Sequence, residues 1–140
     1  MTGRRERGCR SSSGSVNAGR REEPLDQRWA RRDELVAFSP VAGVEVRVVS
    51  GERLMTCWIT LAPETELPAH EHPEEQIGIV IEGTVDVTIA GEQRTVGPGE
   101  AYVVLGNVRH QARTGAAGCR LVESFSPPRP DYLARARGEG

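Results

Sequence analysis

Only three histidines occur in this chain, and two of them, His70 and His72, share one tripeptide. The third, His110, stands far downstream. Neutral imidazole is the commonest nitrogen ligand of divalent metal ions. Residues i and i+2 of a strand face the same way, so His70 and His72 can grip one ion, with His110 brought in from a distant strand. Gln76 has the parity of both histidines and Glu75 the opposite one, although Pro73 interrupts the strand. Unrelated surface or core histidines would be scattered, whereas here every histidine belongs to one candidate site. Three imidazoles and the amide oxygen of Gln76 carry no charge. A divalent ion held by them keeps its +2 and polarises a carbonyl or hydroxyl strongly. The two-histidine, one-carboxylate set that suits Fe(II) oxygen activation is missing unless Glu75 swings in. Dioxygenase chemistry is therefore disfavoured, and Zn, Ni, Mn or Fe would each suit these ligands.

Such a site needs a scaffold that brings distant strands together. From about residue 41, short runs rich in Val, Ile and Thr alternate with Gly- and Pro-marked turns: "VEVRVVS", "LMTCWITL", "IGIVIEG", "VDVTIAG", "RTVG", "AYVVL" and "CRLVESF". Many short strands with regular turns describe an all-β antiparallel sandwich or barrel. Residues 25–38, with Leu25, Trp29 and Val36 off any clean helical spacing, form a short helix or lead into an edge strand. Prolines from Pro127 end the last strand, and a short helical turn follows. Tyr102 and Trp58 fall on strands as core or barrel lining, and as lining they are candidate substrate-binding residues. Gly78 shares the parity of Gln76 and would leave room beside the metal. Arg109 alternates away from His110 into solvent.

Two stretches carry a family resemblance. "HEHPEEQIGIVIEG" resembles the first cupin motif, with His70, His72 and Gly83 in place and Gln76 where a Glu is usual. "GPGEAYVVLGNVRH" resembles the second, a Pro-Gly turn, a strand and the ligand His110. The resemblance implies a double-stranded β-helix barrel, jelly-roll-like, with a metal in its mouth, and a homodimer paired through its sheets, residues 25–49 being a candidate exchanged strand. It divides the chain into a disordered basic arm (1–24), a lead-in (25–40), a cupin domain (41–133) and a flexible tail (134–140). "VESFSPPRPDYL" is similar to the C-terminal stretch of small cupins that open the ring of unsaturated uronic acids. By that likeness Glu123, Phe125 and Arg129 line the pocket beside the metal. Glu123, longer by one methylene than the more usual Asp, is the implied general acid–base, with Asp131 as its substitute. Arg129 can hold a substrate carboxylate in a bidentate pair.

Length and charge set further bounds. The 140 residues make one domain. Residues 1–32 hold nine Arg and four acids, and the remainder nine Arg and sixteen acids. The net charge of −2 offers no global field for nucleic acid. The arm is Arg-, Ser- and Gly-rich with little to bury, which is the composition of a solvated tail. No apolar run reaches the roughly 18 residues of a membrane span. No apolar region follows the Arg pairs 4–5 and 20–21, which excludes twin-Arg export. Cys9, Cys57 and Cys119 are too few and too widely spaced for a disulfide framework, and a reducing cytoplasm fits them. The leading expectation is a metal-dependent enzyme working by Lewis-acid isomerisation or ring opening on a small uronate-like substrate. Two others stand beside it. A polyketide cyclase would need a long apolar cavity with Trp58, Phe125 and Tyr102 facing inward. A non-catalytic metal- or ligand-binding cupin would have no acid or base within reach of the metal.

Overall fold

"VEVRVVS" and "MTCWITL" each alternate buried and half-buried residues at every step, the period of a sheet with one face on a core. In this computed structural model, which describes residues 28–139, they form β1 (Val44–Ser50) and β2 (Met55–Leu61). The following strands are β3 (Glu66–His70), β4 (Glu75–Gly83), β5 (Val85–Ile89), β6 (Glu92–Val96), β7 (Ala101–Val104), β8 (His110–Arg113) and β9 (Cys119–Ser126). A helix, α1 (Pro130–Ala136), comes last. The expected basic arm lies outside the described residues.

Two antiparallel sheets face each other, one in the order β1-β2-β9-β4-β7 and the other β3-β8-β5-β6. The chain passes repeatedly from one sheet to the other, as a jelly roll requires. This is the all-β barrel expected from the sequence. Its core comes from the inner faces: Val46, Val48, Met55, Cys57, Val80, Val85 and Phe125 are at most 2% exposed. Each such large apolar side chain contributes about 1.5–3 kcal/mol when fully buried. Cys57 and Cys119 are free and buried within this core, as small hydrophobes.

The strands that carry histidines, β3 and β8, are absent from the apolar runs of the sequence. Their sequences, ELPAH and HQAR, are short and mostly polar. They are strands because they pair with each other and β8 also pairs with β5.

The described part of the lead-in, 28–40, contains one 3-10 turn, Arg32–Glu34, and a single bridge between Phe38 and Val46. Arg47 holds it by donating to the carbonyls of Arg32 and Leu35 at 3.2 and 3.1 Å. At the other end, α1 runs to Ala136, so the tail expected to be flexible from residue 134 starts inside a helix. Leu133 is wholly buried, and Ala136 packs against the core. Phe38 meets Tyr132 edge-on at 5.4 Å, which ties the two ends of the domain together.

Candidate metal centre

His70 is the last residue of β3 and His110 the first of β8, and the two are cross-strand partners. Their rings lie 4.2 Å apart. His72 does not share a strand with His70, contrary to the parity expectation, because β3 stops at His70 and Pro73 follows in a turn. It still returns to the cluster, 5.5 Å from the His70 ring and 4.9 Å from that of His110. A backbone contact sets its position: the Asn107 N–H donates to the His72 carbonyl at 2.7 Å. Gly106 packs so tightly here that a Cβ on it would come within 2.5 Å of the Pro73 carbonyl oxygen.

Each imidazole is oriented from behind. Nδ1 of His70 and of His110 meets the carbonyl two residues upstream, Pro68 at 2.9 Å and Val108 at 2.8 Å. Nδ1 of His72 meets the Glu74 carbonyl at 3.0 Å. Carbonyls only accept, so each Nδ1 carries the proton and each Nε2 keeps its lone pair. One nitrogen from each ring lies within 4.8 Å of the other two. Nε2 of His110 is buried without a hydrogen-bond partner, a costly state for a polar atom and one a metal ion would relieve. Burial, opposed by the backbone bond to Val108 and reinforced by His70, His72 and Arg129, lowers the His110 pKa to about 4. Burial and then Arg129 lower that of His72. Both are thus held in the neutral form that binds metal.

Gln76 is buried on the inner face of β4, with Oε1 3.0 Å from Nε2 of His72. Neither atom has a proton to share, so two lone pairs face each other, an arrangement that a cation between the donors would make favourable. The other end of the amide donates to Oε2 of Glu123 at 2.7 Å. These residues fit a divalent transition metal: three converging imidazoles, an orphaned nitrogen and an amide oxygen aimed at the same place.

Glu123 sits on the inner face of β9, and Tyr102 on β7 donates to the same Oε2. Burial is the chief reason that the Glu123 carboxyl is raised above its ordinary pKa, against the opposing pull of its two donors and Arg129. Burial and then Glu123 push Tyr102 well above the usual phenol range. Cys57 is the cross-strand neighbour of Glu123. Its thiol is also pushed up, first by burial and then by Glu123, so it is no ready nucleophile. The space expected at Gly78 is not left for the metal, because the Tyr102 ring fills it.

The architecture and this cluster agree with comparisons to known proteins. A model of the cupin domain matches residues 57–125. The pectin degradation protein KdgF of Dickeya dadantii (strain 3937) is 31% identical over 94 residues, which are 65% of this chain and 84% of that protein. The chain is a cupin. Among solved structures it resembles KdgF from Halomonas sp., with a TM-score of 0.67, 24% identity, and coverage of 79% of this chain and 96% of the other. It also resembles the polyketide cyclase RemF from Streptomyces resistomycificus, with a TM-score of 0.63, 22% identity, and coverage of 74% and 82%.

Around the cupin's histidines the remaining candidates separate. Phe125 is 1% exposed and meets the His72 ring at 5.8 Å. The Arg129 guanidinium lies 3.9 Å from the Tyr132 ring centre and 5.1 Å from that of Phe125. Asp131 grips it from the first turn of α1, through Nη2–Oδ2 at 3.0 Å and Nε–Oδ1 at 3.3 Å. Asp131 is itself 63% exposed. Partial burial raises its pKa, but the Arg129 contacts outweigh that and hold it below the ordinary value. It therefore braces Arg129.

Trp58 faces away from the site: it alternates with the buried Cys57 and Ile59 and lines an outer groove with Arg32, Ile81 and Arg120. Glu75 and Arg109 are exposed. Glu74, missed in the sequence, is 6% exposed with Oε1 3.5 Å from Nδ1 of His72. It is a carboxyl group behind a candidate ligand, a placement that raises the basicity of the imidazole. Nothing in the spacing marks it, because it lies in a turn.

Proposed function

We propose that this cupin is a metal-dependent enzyme that isomerises or opens the ring of a small oxygenated carbonyl compound carrying a carboxylate, of the unsaturated-uronate kind. The observation that carries this reading is Glu123: an acid of raised pKa inside the barrel, one amide away from the histidine cluster. His70, His72, His110 and Gln76 would hold the metal, whichever of Zn, Ni, Mn or Fe it is. When bound it supplies Lewis-acid polarisation of a substrate oxygen, which acidifies the neighbouring C–H or O–H.

The chain's own residues do the rest. The three imidazoles have Nδ1 tied to backbone carbonyls and Nε2 aimed at the metal position, so none is free to carry a proton. Glu123 is. Its carboxyl, raised above its ordinary pKa chiefly by burial, is the group placed to give or take a proton. Arg129, braced by Asp131 and stacked on Tyr132, supplies the cation for the substrate carboxylate, and Phe125 supplies an apolar wall. The 31% identity to a pectin degradation protein supports a sugar-acid substrate. The polyketide-cyclase reading asks for a long apolar cavity with Trp58, Phe125 and Tyr102 facing in; Phe125 and Tyr102 face in, but Trp58 faces out. The non-catalytic reading asks for no acid near the metal, and Glu123 is there. We place the enzyme in the cytoplasm as a homodimer, with a second copy on the outer face of the five-stranded sheet. Among the described residues no helix is long and apolar enough to cross a membrane.

The test is a panel of unsaturated uronates and poly-β-ketone mimics, followed by ultraviolet absorbance on protein loaded with Zn, Ni or Mn. Turnover of a uronate is expected. Glu123→Gln should keep its metal and lose about 10²–10⁴-fold in kcat, while Arg129→Ala should raise KM for anionic substrates. Turnover of no panel member, or full activity of Glu123→Gln, would overturn the reading.

A further inference from the structure

Tyr102, Gly78 and Glu123 form one cross-strand row on the inner face, on β7, β4 and β9 respectively. Adjacent strands lie about 4.8 Å apart, so the outer two backbones are separated by the whole width of the middle strand. A side chain on the middle residue would keep Tyr102 and Glu123 apart. Glycine removes it, and the Tyr102 ring lies across the gap. A Cβ on Gly78 would fall within 2.6 Å of Cε1 of Tyr102 and closer still to Cζ. The phenol thereby reaches Oε2 of Glu123. Gln76, one row along, donates to the same oxygen at 2.7 Å. Two donors on one oxygen fix the rotation of a side chain that otherwise has several rotamers to choose from. They also make Oε1 the oxygen left for substrate.

We propose that Tyr102 is a positioning residue which, through the gap at Gly78, clamps Glu123 by Oε2 and so presents Oε1 to the substrate. This rests on Glu123 being the acid–base group of the proposed reaction. Tyr102 then acts through Glu123 and not as part of a substrate-binding wall. Gly78 is required for the reach of its neighbour and not for space at the metal.

Kinetics and spectroscopy test the clamp separately. Tyr102→Phe keeps the ring and loses the donor. It should cut kcat about tenfold with KM and metal content unchanged. Gly78→Ala should displace the ring and cost a similar factor, yet cost nothing further in a Tyr102→Ala background, since contacting residues are non-additive where independent ones add. Wild-type kcat in Tyr102→Phe, or simple additivity of Gly78→Ala and Tyr102→Ala, would overturn the proposal.

The contact can also be read without turnover. The chain has two tyrosines, Tyr102 and Tyr132. Protein labelled with 13C at the tyrosine ζ carbon should therefore give two resonances, assigned by the loss of one in Tyr102→Phe. Glu123→Gln should move the Tyr102 resonance more than that of Tyr132. An unmoved Tyr102 resonance would refute the clamp even if the kinetics agreed. A moved resonance in a protein inert toward the whole panel would leave the clamp in place and sink the proposed reaction instead.

Discussion

His72, a proposed ligand, reaches the cluster from a turn rather than from a strand. His72→Ala should remove most bound metal by elemental analysis, and unchanged stoichiometry would exclude it as a ligand. His110 governs the behaviour of the metal-free protein. Its pKa is about 4 when folded, against an ordinary value of 6.5. As pH falls through 6.5 the unfolded chain binds a proton that the folded chain refuses, so stability drops until pH reaches about 4. Between pH 6.5 and about 4, at about 1.4 kcal/mol per pH unit, the upper limit of this loss is about 3.5 kcal/mol. His72 acts in the same direction. Urea midpoints of metal-free protein should therefore fall between pH 7.5 and 4.5, and fall less in His110→Asn; equal slopes in the two would refute this. Residue type and spacing made the histidines and Gln76 legible in the sequence, and the family resemblance of the C-terminal stretch did the same for Glu123. The partnership of Tyr102 with Glu123 was not legible, because it depends on the register of three strands distant in the chain. Trp58 was misread although its own strand held the answer: in MTCWITL the outward positions are Thr56, Trp58 and Thr60.

At the scale of elements, the site depends on two turns lying backbone to backbone, 71–74 and 105–109. Their joint is the Asn107–His72 hydrogen bond, with Gly106 against Pro73. Gly106→Ala should force the turns apart and weaken metal binding at least tenfold, leaving the far end of the barrel intact. Competition with a chromogenic chelator measures it, and unaltered affinity would show that the joint does not position His72. The apolar strands were legible because burial on one face imposes a period of two. The strands β3 and β8 were not, because short polar segments earn strand geometry from their partners and not from their own composition. The reach of α1 was likewise hidden, since only the packing of Leu133 and Ala136 shows that the last residues of the domain belong to it.

For the whole molecule, the outer face of the five-stranded sheet is its least finished surface. Ile77, Ile79, Ile81 and Val103, with Leu105 just past β7, are each 43–59% exposed. Contiguous apolar surface of this kind is where the proposed second copy would rest. Ile79→Glu should convert a dimer into a monomer by sedimentation, and an unchanged mass would place the interface elsewhere or deny it. Side chains alternate along β4, so Ile77 and Ile79 on the outside are interleaved with Gln76 and Gly78 on the inside. A partner resting on this sheet presses on the back of the strand that sets the ligand amide and the gap for Tyr102. In the proposed dimer, assembly and occupancy would be thermodynamically linked, and linkage is reciprocal. Metal should tighten self-association by the same factor by which self-association tightens metal, so the dissociation constant of the dimer doubles as a gauge of the site on its other side.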